Sequence, residues 1–128
     1  MKTSHYLTQI NKKQTGCKME IIQEKVNDVA IVEIKGRLDV TTASDLEQVF
    51  TKLLSENQNK VLVECRELEY ISSAGLRVLL NAAKQYNKVS GQIMLAGLSQ
   101  NVKQVFEISG FTSIFPIYAT RDEALKAF

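Results

Sequence analysis

The distribution of apolar residues divides the chain into an irregular beginning and a regular remainder. Residues 1–18 are polar and show no sustained period, so we expect a flexible N-terminal extension there. From residue 19 onward, short β-rich runs alternate with segments in which apolar residues recur at helical spacing. The predicted strands are residues 21–26, 29–34, 61–65, 92–96 and 114–118. A single domain over residues 19–128 is therefore expected.

Four amphipathic helices are predicted between and after these strands. Residues that favour helix starts precede each one, namely Thr42 with Asp45, Ser72-Ser73, Ser99 or Asn101, and Thr120 with Glu123. The first two strands flank Asn27-Asp28, a tight-turn pair that predicts an antiparallel hairpin. Strands alternating with helices predict an α/β fold with a mixed, mostly parallel sheet of four to five strands.

Composition narrows the function classes. The 128 residues carry sixteen basic and fourteen acidic side chains, and the formal charge of +2 is too small to argue for nucleic acid or an anionic membrane as partner. No apolar run approaches the roughly 20 residues that span a bilayer. The two cysteines, Cys17 and Cys65, lie far apart, and Cys65 falls in an apolar run, which indicates a small buried thiol in a reduced, cytoplasmic setting.

The sequence offers little for catalysis. The only histidine is His5, within the expected extension, so a histidine-based triad or metal site is excluded from the folded domain. The glycines are scattered and form neither a phosphate-binding loop nor a dinucleotide fingerprint. We therefore expect no enzyme activity, no cofactor and no metal.

One candidate site lies where a predicted strand meets a predicted helix, in residues 70–80 (YISSAGLRVLL). A serine there is a favoured N-cap, so a purely structural role is one interpretation. The other is phosphorylation, because free backbone N–H groups and the helix dipole stabilise a phosphate at this place, typically by ~0.3–1 kcal/mol. The two roles are compatible, and Ala74 and Gly75 would let the active site of a kinase approach closely.

A second strand-to-helix turn covers residues 36–43 and contains Asp39 and Thr41. Taken alone, it is typical of a turn followed by an N-cap. In a mainly parallel sheet, however, both turns follow the carboxyl ends of strands, where α/β proteins meet ligands and partners. Together, the two turns predict one site at one rim of the sheet.

These two turns and a third motif at residues 109–114 (SGFTSI) resemble the STAS domain, and specifically the stand-alone anti-sigma factor antagonists of bacteria. The family shows an early G-x-[LI]-D, matched by residues 36–39, and a turn of the form S-S-A-G-L-R, matched by residues 72–77. Its downstream S-G-[FL]-x-x-[IL] stretch is the third match. All three occur in order across nearly the whole of residues 19–128.

Aligning the chain on Gly75 places the phosphoacceptor of the family at Ser73. Ser72 stands where many members have Asp, and Arg77 stands where many have Gly. By the same resemblance, Asp39 helps to form the kinase-binding surface. We predict that the partner-binding residues are Asp39, Thr41, Ser72, Ala74, Gly75 and Arg77.

The resemblance also implies a mechanism. The unphosphorylated protein binds an anti-sigma factor that is a serine kinase of the GHKL-ATPase type, and this binding frees a sigma factor to join RNA polymerase. The kinase uses ATP to phosphorylate Ser73 and then releases the antagonist, and a PP2C-type phosphatase resets the switch. A dianionic group within a packed interface weakens binding through desolvation and repulsion.

Two alternatives remain open. One is an adaptor STAS subunit of a transport or signalling complex that is never phosphorylated, for which neighbouring transporter genes would argue. The other is a nucleotide-binding or hydrolysing domain, which saturable GTP or ATP binding that depends on Asp39 would support.

Overall fold

The computed structural model describes residues 9–12 and 19–128, and these residues form a seven-stranded sheet and four α-helices. The strands are β1 (Gln9–Lys12), β2 (Met19–Val26), β3 (Val29–Leu38), β4 (Lys60–Glu64), β5 (Leu68–Ile71), β6 (Gln92–Ala96) and β7 (Ile117–Tyr118). The helices are α1 (Ala43–Ser55), α2 (Ser73–Lys88), α3 (Gln100–Ile108) and α4 (Arg121–Ala127).

The sheet has the order β1-β2-β3-β4-β6-β7, and β5 pairs with the end of β3. The pairs β1·β2 and β2·β3 are antiparallel, whereas the other four pairs are parallel. The predicted α/β class and the mixed, mostly parallel sheet are therefore confirmed. The strand count exceeds the expected four to five because β1 and β5 were not predicted. Each has only four residues, too few to establish a period.

Strand β1 lies within the segment that we expected to be flexible. Its backbone pairs antiparallel with β2, so that Ile10 is opposite Ile22. Residues 9–12 thus take part in the sheet, and the flexibility expected of the extension stays a prediction. The rest of that expectation, together with His5 and Cys17, falls on residues 1–8 and 13–18, which lie outside the described part of the chain.

Alternation along the strands sends side chains to two faces of the sheet. One face packs against α1, α2 and α3 and holds the larger core, in which Val32, Val63 and Leu95 are fully buried. The other face, with Ile31 and Leu62, packs against Ala124 of α4 in a smaller cluster. Both faces of the central strands are therefore covered, as expected for parallel strands.

The helix starts follow the predicted caps with one exception. Ser99, rather than Asn101, caps α3, since its Oγ accepts from the backbone N of Val102 at 3.3 Å. Thr120 caps α4 by accepting from the backbone N of Glu123 at 3.2 Å. Thr42 occupies the predicted N-cap position of α1, but its side chain makes no capping hydrogen bond there.

The last predicted strand is shorter than expected. Instead of residues 114–118, only Ile117–Tyr118 pair with β6, and Phe111–Ser113 form a 3-10 helix. The run was misinterpreted because Phe115 is buried against the rings of Phe106 and Phe111 rather than aligned within a strand. Within the described residues, no helix has the length and apolar character needed to cross a membrane.

Candidate functional site

The two predicted turns lie side by side at one rim of the sheet. Strands β3 and β5 are parallel neighbours, with Leu38 opposite Ile71. The backbone N of Ser72 donates to the carbonyl O of Leu38 at 2.9 Å, which ties the start of one turn to the start of the other. The two motifs that are 36 residues apart in sequence thus form one surface.

A close approach between Leu38 and Gly75 holds the two turns together. A Cβ atom added at Gly75 would lie 2.7 Å from Cγ of Leu38 and 3.0 Å from Cγ1 of Ile71. Gly75 is itself buried. This glycine therefore lets the helix pack closely on β3, and its place in a surface met by a kinase stays a prediction.

The turn after β3 uses its polar groups internally. The hydroxyl of Thr42, which is only 3% exposed, accepts from the backbone N of Asp39 and donates to the carbonyl O of Arg37, both at 2.9 Å. The carboxylate of Asp39 accepts from the Thr41 hydroxyl at 2.7 Å and from the Thr41 backbone N at 3.0 Å. The orientation of Asp39 is thus set by bonds within its own turn.

The two serines in the turn after β5 have different roles. Ser72 is the N-cap of α2, since its Oγ accepts from the backbone N of Gly75 at 3.2 Å. Ser73 is the first residue of α2 and is exposed, and its hydroxyl makes no hydrogen bond to another described residue. Capping therefore uses one hydroxyl and leaves the other accessible at the positive end of the helix dipole.

The surface around Ser73 combines apolar and cationic groups. Tyr70 is 41% exposed, and Val40, in the turn after β3, is 75% exposed. The guanidinium carbon of Arg37 lies 4.2 Å from the centre of the Tyr70 ring, a cation–π contact. No local pattern in the sequence indicates these three residues, because the contact of Arg37 with Tyr70 depends on the pairing of β3 with β5.

The predicted site residues are exposed to different degrees. Ser73, Thr41 and Arg77 are exposed, whereas Asp39, Ser72 and Ala74 are half-buried. Except for the buried Gly75, all are thus on or near the surface of the rim. Their contact with a partner stays a prediction.

Cys65 directly follows β4. It is fully buried, and burial, followed by the neighbouring charge of Glu64, raises the pKa of its thiol to about 12. A protonated, enclosed thiol is a poor nucleophile, so the expectation of a small buried thiol is confirmed. Among the residues that the structure describes, no group of three or more His, Cys, Asp or Glu side chains could hold a metal ion.

An ion-pair group that the sequence alone did not reveal lies on the face of the sheet covered by α4. Arg121 donates to Glu64 at 2.8 Å and to Glu24 at 3.2 Å, and Glu64 is 5% exposed. Burial, followed by the charge of Glu64, raises the pKa of nearby Glu33. These residues are distant in sequence, so no local pattern signals the group. It fixes α4 to the sheet.

Comparison with known proteins gives the family of this chain. The STAS domain matches residues 20–124. The chain belongs to the STAS domain family. BtrV of Bordetella bronchiseptica, named as an anti-sigma factor antagonist, is 38% identical over 110 residues, which are 86% of this chain and 95% of that protein.

Solved structures of STAS domain proteins share the fold. A Thermotoga maritima protein named as an anti-sigma factor antagonist superposes with a TM-score of 0.79 at 26% identity, over 82% of this chain and 91% of its own. The Bacillus cell fate determinant SpoIIAA in its phosphorylated form superposes with a TM-score of 0.69 at 19% identity, over 84% and 97%. The relatives of this STAS domain thus include regulatory proteins of the anti-sigma factor antagonist class.

Proposed function

We propose that this STAS domain protein is a non-enzymatic anti-sigma factor antagonist, and that phosphorylation of Ser73 switches its partner binding off. The accessibility of Ser73 carries the proposal. Because Ser72 supplies the N-cap, Ser73 can be modified without loss of that bond. The first turn of α2 also presents unpaired backbone N–H groups and a positive dipole end, which favour a phosphate.

The partner of the unphosphorylated form is an anti-sigma factor serine kinase of the GHKL type. Its docking surface is the rim formed by Asp39, Thr41, Ser72, Ala74 and Arg77, with the exposed side chains of Val40 and Tyr70. Exposed apolar residues beside a cation–π pair are typical of protein interfaces. Docking there frees the sigma factor that the kinase otherwise holds.

Phosphorylation acts by local electrostatics. A phosphoserine carries a charge of about −1.5 to −2 at neutral pH, and burying it at the centre of a packed interface costs desolvation. A weakening of ~3–4 kcal/mol corresponds to a loss of affinity of a few hundredfold or more. That SpoIIAA, with the same fold, has been solved in a phosphorylated form supports a switch that leaves the fold intact.

The cycle is completed by a PP2C-type phosphatase that returns Ser73 to its unmodified state. Because the kinase consumes ATP and the released sigma factor acts on RNA polymerase, we place the switch in the cytoplasm. No cofactor enters this cycle through the antagonist itself.

Three variants test the proposal. Ser73→Ala serves as bait to recover the kinase from lysate, and calorimetry with the purified kinase then compares Ser73→Ala, Ser73→Asp and Ser55→Asp. Ser55 is an exposed serine at the last residue of α1, so its aspartate adds the same charge away from the rim. We expect Ser73→Ala and Ser55→Asp to bind like the wild type, and Ser73→Asp to lose affinity by about a hundredfold or more.

Mass spectrometry after incubation with the kinase and ATP checks the modified residue. The expected result is a single phosphate on Ser73, absent from Ser73→Ala. Phosphate on another residue would contradict the site, and no phosphate at all would favour an unphosphorylated adaptor. Equal binding by Ser73→Asp and the wild type would contradict the switch.

A further inference from the structure

Arg77 stands one helical turn beyond the proposed phosphorylation site. Ser73 and Arg77 are four residues apart in α2, and both are exposed. Residues at this spacing are neighbours on a helix surface, and an anion that precedes a cation by four residues is the favourable orientation. The guanidinium of Arg77 makes no ion pair or hydrogen bond with another described residue.

The other charged groups near the rim are less suited to hold a phosphate on Ser73. The guanidinium of Arg37 is stacked on the ring of Tyr70, and Asp39 and Glu69 carry negative charge. The next cation along α2 is Lys84, eleven residues from Ser73 and thus roughly 16 Å along the axis. At physiological ionic strength, a charge at that distance is largely screened.

We propose that Arg77 is an intramolecular clamp for the phosphate on Ser73. In the phosphorylated protein, the guanidinium donates hydrogen bonds to the phosphate oxygens across one turn of α2, a charge-assisted pairing that suits its planar fork. The clamp holds the phosphate in its dianionic form and stabilises the first turn of the helix. This inference rests on the proposed phosphorylation of Ser73 and names how the modified site is held.

The test places phosphoserine at position 73 by genetic encoding, so that it needs no kinase. Phosphorus-31 NMR then follows the second ionisation of the phosphate in the full chain. Because Arg77 favours the dianion, it lowers the pKa of that ionisation. We expect Arg77→Gln to reduce the acid dissociation constant about two- to threefold, and Arg77→Lys to retain part of the effect.

Phosphoserine at position 44 provides a matched control. Ser44 is an exposed residue in the first turn of α1, and the residue four positions later is Gln48, so its phosphate has a helix N-terminus but no arginine. Arg77→Gln should leave the titration at position 44 unchanged. In 1 M NaCl, where the screening length is ~3 Å, the difference at position 73 should largely disappear.

Equal titration midpoints for phosphoserine 73 in the wild type and in Arg77→Gln at low salt would overturn the clamp. So would an equal change at position 44, since it would show a general electrostatic effect of the substitution. A kinase that leaves Ser73 unmodified would instead overturn the proposed function, and this outcome is distinct because the NMR experiment does not depend on any kinase.

Discussion

The turns after β3 and β5 are neighbours with similar sequences of small polar residues, yet they use their hydroxyl groups differently. In the turn after β3, the hydroxyls of both Thr41 and Thr42 are engaged by hydrogen bonds. In the turn after β5, Ser72 is engaged by the helix start, and Ser73 has no bonded partner among the described residues. One turn is a fixed part of the rim, whereas the other has a hydroxyl available for chemistry.

Burial explains this difference. Thr42 is 3% exposed, and a buried polar group that lacks a hydrogen-bond partner is costly, so its hydroxyl must be satisfied within the protein. Ser73 is exposed, and water can satisfy its hydroxyl until an enzyme modifies it. The turn after β3 therefore serves to stabilise the rim, whereas the turn after β5 also offers a hydroxyl that can be modified.

The largest effect on stability should follow from removing the contact between Leu38 and Gly75, which joins the two turns. Leu38 is fully buried, so we expect Leu38→Ala to lower the free energy of unfolding by about 2–5 kcal/mol. Gly75→Ala should cost about 1–3 kcal/mol in the wild type, because its methyl group meets Leu38. In the Leu38→Ala background the same change should cost less, since the methyl group enters the cavity. Urea unfolding of the four proteins measures the coupling, and strictly additive costs would contradict the contact.

A smaller effect on stability should follow from removing the hydrogen bonds of the Thr42 hydroxyl in the turn after β3. Thr42→Val removes the buried hydroxyl and leaves the backbone N of Asp39 and the carbonyl O of Arg37 without that partner, and we expect a loss of about 1–3 kcal/mol in the free energy of unfolding. Thr42→Ser keeps the hydroxyl and should recover most of that loss. Thr41→Val is the matched control at an exposed position, with an expected change of only a few tenths of a kcal/mol up to ~1 kcal/mol. Equal losses in the free energy of unfolding for Thr42→Val and Thr41→Val would show that burial does not explain the difference between the two hydroxyls.

Ser72 and Ser73 should also contribute differently to the stability of the protein. Ser72→Ala removes the N-cap of α2 and should lower the free energy of unfolding by about 0.5–2 kcal/mol. Ser73→Ala removes no hydrogen bond to a described residue and should change it by less than about 0.5 kcal/mol. Chemical denaturation of both variants makes the comparison. A reversed order would assign capping to Ser73 and leave no spare hydroxyl.

The smallest effect concerns charge at the helix ends. An aspartate at position 73 lies at the positive end of the α2 dipole, and we expect Ser73→Asp to stabilise the fold by about 0.3–1 kcal/mol. Ser55→Asp places the same charge at the negative end of α1 and should destabilise by a similar amount. Thermal unfolding at low and high salt should show both effects, with opposite signs and reduced by salt. Destabilisation by Ser73→Asp would argue against a phosphate-compatible helix start.

Local patterns were sufficient for most elements. The four helices, the strands of the central sheet and the caps at Thr120 and Ser99 all follow from periodicity and from residues that favour helix starts. Such features depend on neighbours three or four residues away, which are visible in the sequence. The resemblance to the STAS domain added the assignment of Ser73 as the phosphoacceptor, which stays a prediction.

The failures share a cause, because each depended on residues distant in sequence. Strand β5 exists because β3 extends to Leu38 and pairs with it, and Phe115 leaves the last strand to pack with Phe106. The ion pair of Arg121 with Glu24 spans 97 positions. Nothing local indicates that the side chain of Leu38 packs against Gly75.

The sequence by itself determined where helices begin, which side chains form their apolar faces, and that two serines stand at the start of α2. Only the tertiary structure decided that Ser72 would cap and Ser73 would remain exposed, and that the turn after β3 would lie beside them. The physical reason is that helix and strand periodicity arises from short-range geometry, whereas exposure and contact across the rim depend on which distant segments pack together.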